Sequence, residues 1–388
     1  MPEAPRILFL FSDTGGGHRS AAEAIIEALE TYYPGQASTE LLDVLKDYAP
    51  TPFHLLPESY PIMVKIPQAW EFGYRLLDGH HRGRALSAAV WPYVRSRVKQ
   101  LVEEQPADLV VSVHPLLIAP VWRALGVDGP RFVTVVTDLV TPHALWYHRK
   151  VDLTVVPTDE ARLRAIECGL DDDRVSVIGL PVAQRFCLAP ADKTVLRQQL
   201  GWPNDRPVVL LVGGAEGLGP VYDTARAVAR LPGDFALAVV SGRNEALRQR
   251  LERTDWEVPT FIYGFERRMP ELMQAATFLV TKAGPGTITE AINAGLPIIL
   301  YNRIPGQEDG NVDYVVAKGV GKWAPSPSAT AAAVRDWLES PEAVKRAVDN
   351  CRRIARPKAA QEIAELLVAY VKQVRAGSNG RPPLPGFS

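Results

Sequence analysis

The chain alternates short, uninterrupted apolar runs with segments of helical periodicity. Arg6–Phe11 is apolar after its first residue, as expected of a strand covered on both faces of a sheet. Ser12–Gly17 is glycine-rich and feeds a helix running from His18 to about Tyr33, with Ile25, Ala28, Leu29 and Tyr32 on one buried face. Further strands are predicted at Leu41–Leu45, Asp108–Val113, Phe132–Val136, Leu153–Pro157 and Val175–Ile178. Pro181–Asp205 breaks the pattern with prolines and polar residues and reads as a linker. The alternation restarts with Val208–Val212, Phe235–Val240, Phe261–Tyr263, Phe278–Thr281 and Leu296–Tyr301. Helices at about Thr330–Glu339, Pro341–Ala355 and Ala359–Val374 close the chain. This pattern predicts an α/β protein with parallel sheets and helices on both faces, built as two Rossmann-like domains at 1–187 and 201–358. A C-terminal helix at 359–374 and a Gly- and Pro-rich tail at 375–388, read as disordered, complete it. Ligands of such sheets bind at the carboxyl ends of the strands, so the expected site is a cleft between the two facing domains.

Composition narrows the function classes. A chain of 388 residues, 47% hydrophobic and 22% charged, fits two soluble globular domains. A net charge of −1 excludes a general polyanion binder, so no nucleic-acid partner is expected. Cys168, Cys187 and Cys351 lack metal or disulfide spacing and fit a reducing cytoplasm. The N-terminus has no basic, cleavable leader, and the longest apolar run, Leu109–Trp122, contains His114, Pro115 and Pro120 and is no membrane span. Residues 59–99 depart from this balance, with seven Lys or Arg against two acids, a local charge of +5. Tyr60, Trp70, Phe72, Tyr74, Trp91 and Tyr93 are interleaved with them. That mixture suits a segment lying on anionic membrane lipids through Trp70, Arg82, Arg84, Trp91, Arg95 and Arg97, although a packed helical insertion has the same composition.

The stretch with the densest chemistry is Thr281–Gly310. A strand end turns through Gly284, Pro285 and Gly286 into a helix at about Thr287–Ala294, and a helix N-terminus with unpaired N–H groups suits a diphosphate. Thr287 and Glu290 also fit a capping box, which would leave Glu290 structural. In the first domain, Gly15, Gly16, Gly17 and Ser20 only approximate a dinucleotide fingerprint. His18 is more informative, because a histidine at a helix start stays neutral and able to act as a base. His114 and Asp138 follow buried strands and are further candidates at the same edge; His114 also fits a turn-capping role. Asp171–Asp173 matches a metal-binding D-x-D but falls in a helix-to-strand turn, so no metal or other cofactor is expected and backbone dipoles are expected to stabilise the leaving group.

These residues carry a resemblance. FSDTGGGHRSAAEAI, TDLVTPHALWYHR, VVPTDEARLRAIECGL, GGAEGLG, SGRN and TKAGPGTITEAINAGLPIILYNRIPGQEDGNVDYVV look like the monogalactosyldiacylglycerol synthase family, over roughly Ile7–Gly321. That family is similar to processive diacylglycerol glucosyltransferases and, more distantly, to the N-acetylglucosaminyltransferase of the lipid II pathway. The resemblance implies a GT-B fold and an inverting transfer of glucose or galactose from a UDP-hexose to diacylglycerol, on the inner face of the membrane. It further implies His18 as the base, with Gly16 and Gly17 beside the acceptor. Gly213, Gly214, Glu216 and Gly217 would join Gly284, Pro285, Gly286 and Thr287 around the diphosphate. Glu290 would hold the ribose, Gln307 and Glu308 the hexose, and Arg243 and Asn244 would lie near the nucleotide. Ala215 replaces an expected glycine in the loop GGAEGLG, which matters only if that position needs a positive φ. Two alternatives are a UDP-sugar 2-epimerase-like isomerase, which would need catalytic carboxylates, and a lipid II type UDP-GlcNAc transferase.

Overall fold

Each apolar run becomes a parallel strand, and the strands form two six-stranded sheets. The computed structural model describes residues 4–375 apart from Gly15, 64–66, 189–190 and Leu218. The expected disordered tail, Lys65 and the first glycine of the GGGH loop therefore lie outside the described residues, as do the side chains of Tyr60 and Arg84. By contact the chain divides into residues 1–184, 305–307 and 358–388, and residues 185–304 and 308–357.

In the first unit the strands are β1 (Arg6–Phe11), β2 (Ser38–Asp43), β3 (Leu109–Ser112), β4 (Arg131–Val135), β5 (Leu153–Val156) and β6 (Val175–Val177). Their order is β2-β1-β3-β4-β5-β6. Alternation along β1 sorts its side chains between two cores. Ile7, Phe9 and Phe11 pack with Ile25 and Leu29 of the helix Gly17–Tyr32 and with Ile363, Leu367 and Val371 of the helix Ala359–Arg375. Leu8 and Leu10 pack on the other face with Phe132, Trp146 and Leu101. The C-terminal helix, expected as a separate appendage, is thus part of the first unit's core.

The second unit contains β7 (Val208–Val212), β8 (Ala236–Val240), β9 (Thr260–Tyr263), β10 (Phe278–Lys282), β11 (Ile298–Asn302) and β12 (Gly321–Trp323). Their order, β12-β11-β10-β7-β8-β9, reverses direction between β10 and β7, as the first sheet does between β1 and β3. Ligands of doubly wound sheets bind at such switch points, at the carboxyl ends of the strands. The glycine loops identified in the sequence follow β1, β7 and β10, so each sheet carries its candidate chemistry at its own switch point.

Three expectations are corrected. The second strand is Ser38–Asp43, because Asp43 ends it by accepting from the Lys46 N–H at 3.2 Å and starts the helix Val44–Tyr48. The expected linker contains the helix Lys193–Leu200, capped by Asp192 and stopped by Gly201 in the left-handed region, with the prolines outside it. Its buried Arg197 donates to the carbonyl of Ala275 at 2.9 Å, fixing this helix in the second unit. The third concerns residues 59–99: Trp70 and Trp91 are half-buried, and Trp91 packs on the core under the Arg123 guanidinium at 4.7 Å. The exposed large hydrophobics among the described residues there include Phe72 and Leu76, at 70% and 51%, one turn apart on the helix Pro67–Leu77. Arg82, Arg95 and Arg97 are exposed as expected. No helix among the described residues is long and apolar enough to cross a membrane.

Candidate active site

In the first unit the site is built around His18, in the first turn of the helix Gly17–Tyr32. Its Nδ1 lies 2.8 Å from the carbonyl oxygen of Val113 and 2.9 Å from Thr137 Oγ1. A carbonyl only accepts, so Nδ1 carries the proton and Nε2 presents a lone pair. Burial lowers the His18 pKa to about 4, opposed by the bond to Val113 and by the charge of Asp13. The imidazole is therefore neutral, with its tautomer fixed. Gly16 caps the helix with an ordinary φ of −57°, and a Cβ on Gly16 or Gly17 would meet nothing within 4 Å. Neither glycine is demanded by the backbone; their effect is to leave open space before the histidine.

His114 is buried, stands at the N-cap position of the helix Pro115–Leu125 without a side-chain cap bond, and packs edge-on against His18 at 4.6 Å. Its Nε2 lies 2.8 Å from Thr14 Oγ1, and burial together with His18 pushes its pKa well down. It is a neutral wall to His18 and caps no turn with its ring. Asp138 accepts a hydrogen bond from Trp146 Nε1 at 2.7 Å, and the Trp146 ring lies 6.0 Å from His18. Asp13, ion-paired with Arg19, is the carboxylate whose charge reaches His18.

In the second unit the helix after β10 is Pro285–Asn293, two residues earlier at its start than expected, with Gly284 at the N-cap. Thr287 and Glu290 thus lie inside the helix, and the capping box is not formed. Glu290 is half-buried and its pKa is raised by burial to about 7, opposed only by Arg185. Gly286 faces open space, with nothing within 4 Å of an added Cβ.

Lys282 ends β10 between the two glycine loops: a Cβ on Gly284 would meet its Nζ at 3.0 Å, and one on Gly214 its Cε at 3.4 Å. Its Nζ donates to Glu308 Oε1 at 2.7 Å, while Glu308 Oε2 accepts from the Ile304 N–H at 2.8 Å. Glu308 is only 2% exposed and starts the helix Asp309–Ala317; half-buried Gln307 precedes it. Among the described residues of the loop after β7, positive φ falls on Gly214, Gly217 and Gly219 and on no other residue type, so Ala215 is accommodated. Gly217 is required: with φ at +57°, a Cβ would sit 2.4 Å from the Ser241 carbonyl oxygen. Gly213 packs within the same loop. Arg243 donates to Glu216 at 2.8 Å, and Asn244 caps the helix Glu245–Glu252 by accepting from the Leu247 N–H. Asn244 is therefore first a structural residue. Asp172 is ion-paired to Arg162 in a turn before β6, and no group of three His, Cys, Asp or Glu among the described residues is placed to hold a metal ion.

Residues 18–182 match the family described as "Monogalactosyldiacylglycerol (MGDG) synthase", and residues 192–354 match "Glycosyl transferases group 1". Monogalactosyldiacylglycerol synthase 2, chloroplastic, of Arabidopsis thaliana is 38% identical over 98% of this chain and 83% of its own length. The chain belongs to the monogalactosyldiacylglycerol synthase family. Among solved structures, MurG of Acinetobacter baumannii superposes with a TM-score of 0.61 at 14% identity, covering 93% of this chain and 99% of that one. A putative UDP-N-acetylglucosamine 2-epimerase from Listeria monocytogenes also gives 0.61 at 14%, covering 98% of each. The fold is thus GT-B, and it alone does not separate transferase from isomerase. Membership of the synthase family does: this is a glycosyltransferase of glycolipid biosynthesis.

For a synthase of this family, sequence reasoning missed Thr137, Asp13 and Lys282. Thr137 is remote in the chain from its partner His18, so spacing gave no sign of it. Lys282 carried a signal, since a charged residue ending an otherwise apolar strand at a glycine turn stands at the binding edge.

Proposed function

We propose that the protein transfers galactose from UDP-galactose to a hydroxyl of diacylglycerol, inverting the anomeric centre, at a membrane surface. The observation that carries the reading is the fixed tautomer of His18, which leaves Nε2 as a base beside an open glycine approach. Nε2 accepts the proton of the acceptor hydroxyl as its oxygen forms the bond to the sugar's anomeric carbon, and the bond from that carbon to the diphosphate breaks. The second unit supplies the leaving-group site, with the N–H groups at the start of the helix Pro285–Asn293 and the Lys282 ammonium facing the diphosphate. Glu290 takes the ribose hydroxyls, and Gln307 and Glu308 the hexose. Galactose is chosen because the family's plant members bear it in their names. The assay is incubation with UDP-galactose, UDP-glucose or UDP-GlcNAc and diacylglycerol vesicles. Monogalactosyldiacylglycerol of inverted configuration is the expected product; a product from UDP-GlcNAc alone overturns the reading.

No metal takes part, in this proposal. Activity is expected to survive EDTA unchanged; loss on chelation with rescue by manganese or magnesium would refute it.

Glu290→Gln is expected to weaken UDP-galactose binding about 10- to 100-fold, the worth of charge-assisted hydrogen bonds. Stability should move the other way. The folded pKa of about 7 lies above the unfolded value, so the carboxyl stabilises the fold at low pH and loses that effect as pH rises through 7. At pH above about 8 the variant should therefore melt no lower than wild type, by calorimetry.

Membrane binding is proposed to use Phe72 and Leu76 for insertion and Arg82, Arg95 and Arg97 for attraction, on the cytoplasmic side, which three free cysteines fit. Phe72→Ser with Leu76→Ser should abolish the salt-resistant part of sedimentation with phosphatidylglycerol vesicles. Changing the three arginines to glutamine should remove the salt-sensitive part. Equal co-sedimentation of all variants at low salt would show the segment to be an ordinary packed insertion.

A further inference from the structure

The first unit contains a second concave feature that neither half of the reaction uses. It is a groove of about 240 Å³ between the helices Val44–Tyr48, His80–Glu104 and Pro115–Leu125. Phe53, Val90, Val94, Leu117 and Leu145 are among its walls, and no charged side chain among the described residues lines it. Of its two hydroxyl-bearing residues, Tyr48 directs its OH to Glu104 at 2.9 Å. Such a lining recognises a hydrocarbon and offers nothing to a sugar or phosphate.

The groove is joined to the base along two stretches of chain. Pro115, Leu116 and Leu117 of the wall follow His114, whose ring packs 4.6 Å from His18. Leu145 of the wall precedes Trp146, whose ring lies 6.0 Å from His18. Leu116 is 38% exposed, so the groove is open along one edge and not sealed. A protein cavity of about 150 Å³ with the same kind of lining takes up benzene. On that scale this groove accommodates about ten carbon atoms in line.

We infer that the groove holds one acyl chain of the acceptor lipid, over about ten carbons from its ester, and so sets the glycerol hydroxyl at His18. The inference rests on the reading of the acceptor as diacylglycerol. It makes the protein a reader of acyl length and shape as well as of the headgroup.

The test uses soluble 1-acyl-2-acetylglycerols, butanoyl to dodecanoyl, below their aggregation concentrations. Binding to the full chain is measured by equilibrium dialysis, and KM by transfer from UDP-galactose. Affinity is expected to rise about threefold to fourfold per added methylene and to level off near ten carbons. Val90→Trp, which fills the groove, should flatten this dependence and weaken decanoyl binding about 10³-fold relative to the butanoyl compound, leaving the KM for UDP-galactose unchanged. If that variant melts early or loses UDP binding, Ser87→Phe takes its place, and the wild-type series stands without either. A wild-type affinity independent of chain length, or an undiminished slope in a folded groove-filled variant, overturns the inference. Graded binding without transfer from any UDP-hexose would refute the transferase reading and leave the groove assigned. Transfer without graded binding would do the reverse.

Discussion

His18→Ala should lower kcat by about 10²- to 10⁴-fold, the usual worth of a positioned general base, while UDP binding to the other domain stays at the wild-type level. The expectation follows from the assigned proton: with Nδ1–H held by the Val113 carbonyl, Nε2 is the atom left to act. Burial places the pKa at about 4, so the acid limb of kcat/KM should fall near pH 4 and not near the ordinary histidine value. His18→Gln should fail as badly as alanine, because an amide fills the space without accepting a proton at neutral pH. Parallel loss of UDP affinity would make His18 part of the nucleotide pocket or the fold, and an acid limb that is unmoved by the substitution would remove it from the proton transfer.

Glu308→Gln should cut kcat/KM for UDP-galactose by about 10²-fold, or about 3 kcal/mol. The carboxylate is buried and divides its oxygens between the Lys282 ammonium and the Ile304 N–H. A neutral amide keeps the shape but leaves the ammonium without its counter-charge, so some loss of melting temperature accompanies the change. The discriminating measurement is UDP against UDP-galactose. If Glu308 grips the hexose, affinity for UDP stays near wild type while affinity for UDP-galactose falls. If its only work is to set Lys282 against the diphosphate, both fall together.

Both sheets were legible because buried parallel strands are written as unbroken apolar runs, as in Val208–Val212. The rule failed at β2, an edge strand that is mostly half-buried, so the apolar Leu41–Leu45 drew the expectation past the Asp43 cap. It failed again at Lys193–Leu200, where neighbouring prolines hid an ordinary capped helix. In the site, glycines and His18 were visible because loop chemistry is local. Thr137 and the Lys282–Glu308 pair were not, since each acts through a contact that only the folded sheet creates, while Asp13 is local to His18 and was passed over. Glu290 was ambiguous in the sequence, and a two-residue difference in where its helix begins decided against the cap. The tryptophans of residues 59–99 misled for a related reason: composition records that aromatic residues are present, and only packing shows that Phe72 faces outward while Trp91 does not.

The return of the helix Ala359–Arg375 to the first unit has a consequence for how the chain matures on the ribosome. Domains made early in synthesis ordinarily fold before later ones emerge. Here Ile25 and Leu29, on the helix that carries His18, are covered by Ile363 and Leu367 of the helix Ala359–Arg375. The second unit, contained in residues 185–304 and 308–357, has all its strands before that last helix is made. The domain begun first is thus completed after the second, and the helix bearing the base gains its full packing only once the second unit's strands have been made.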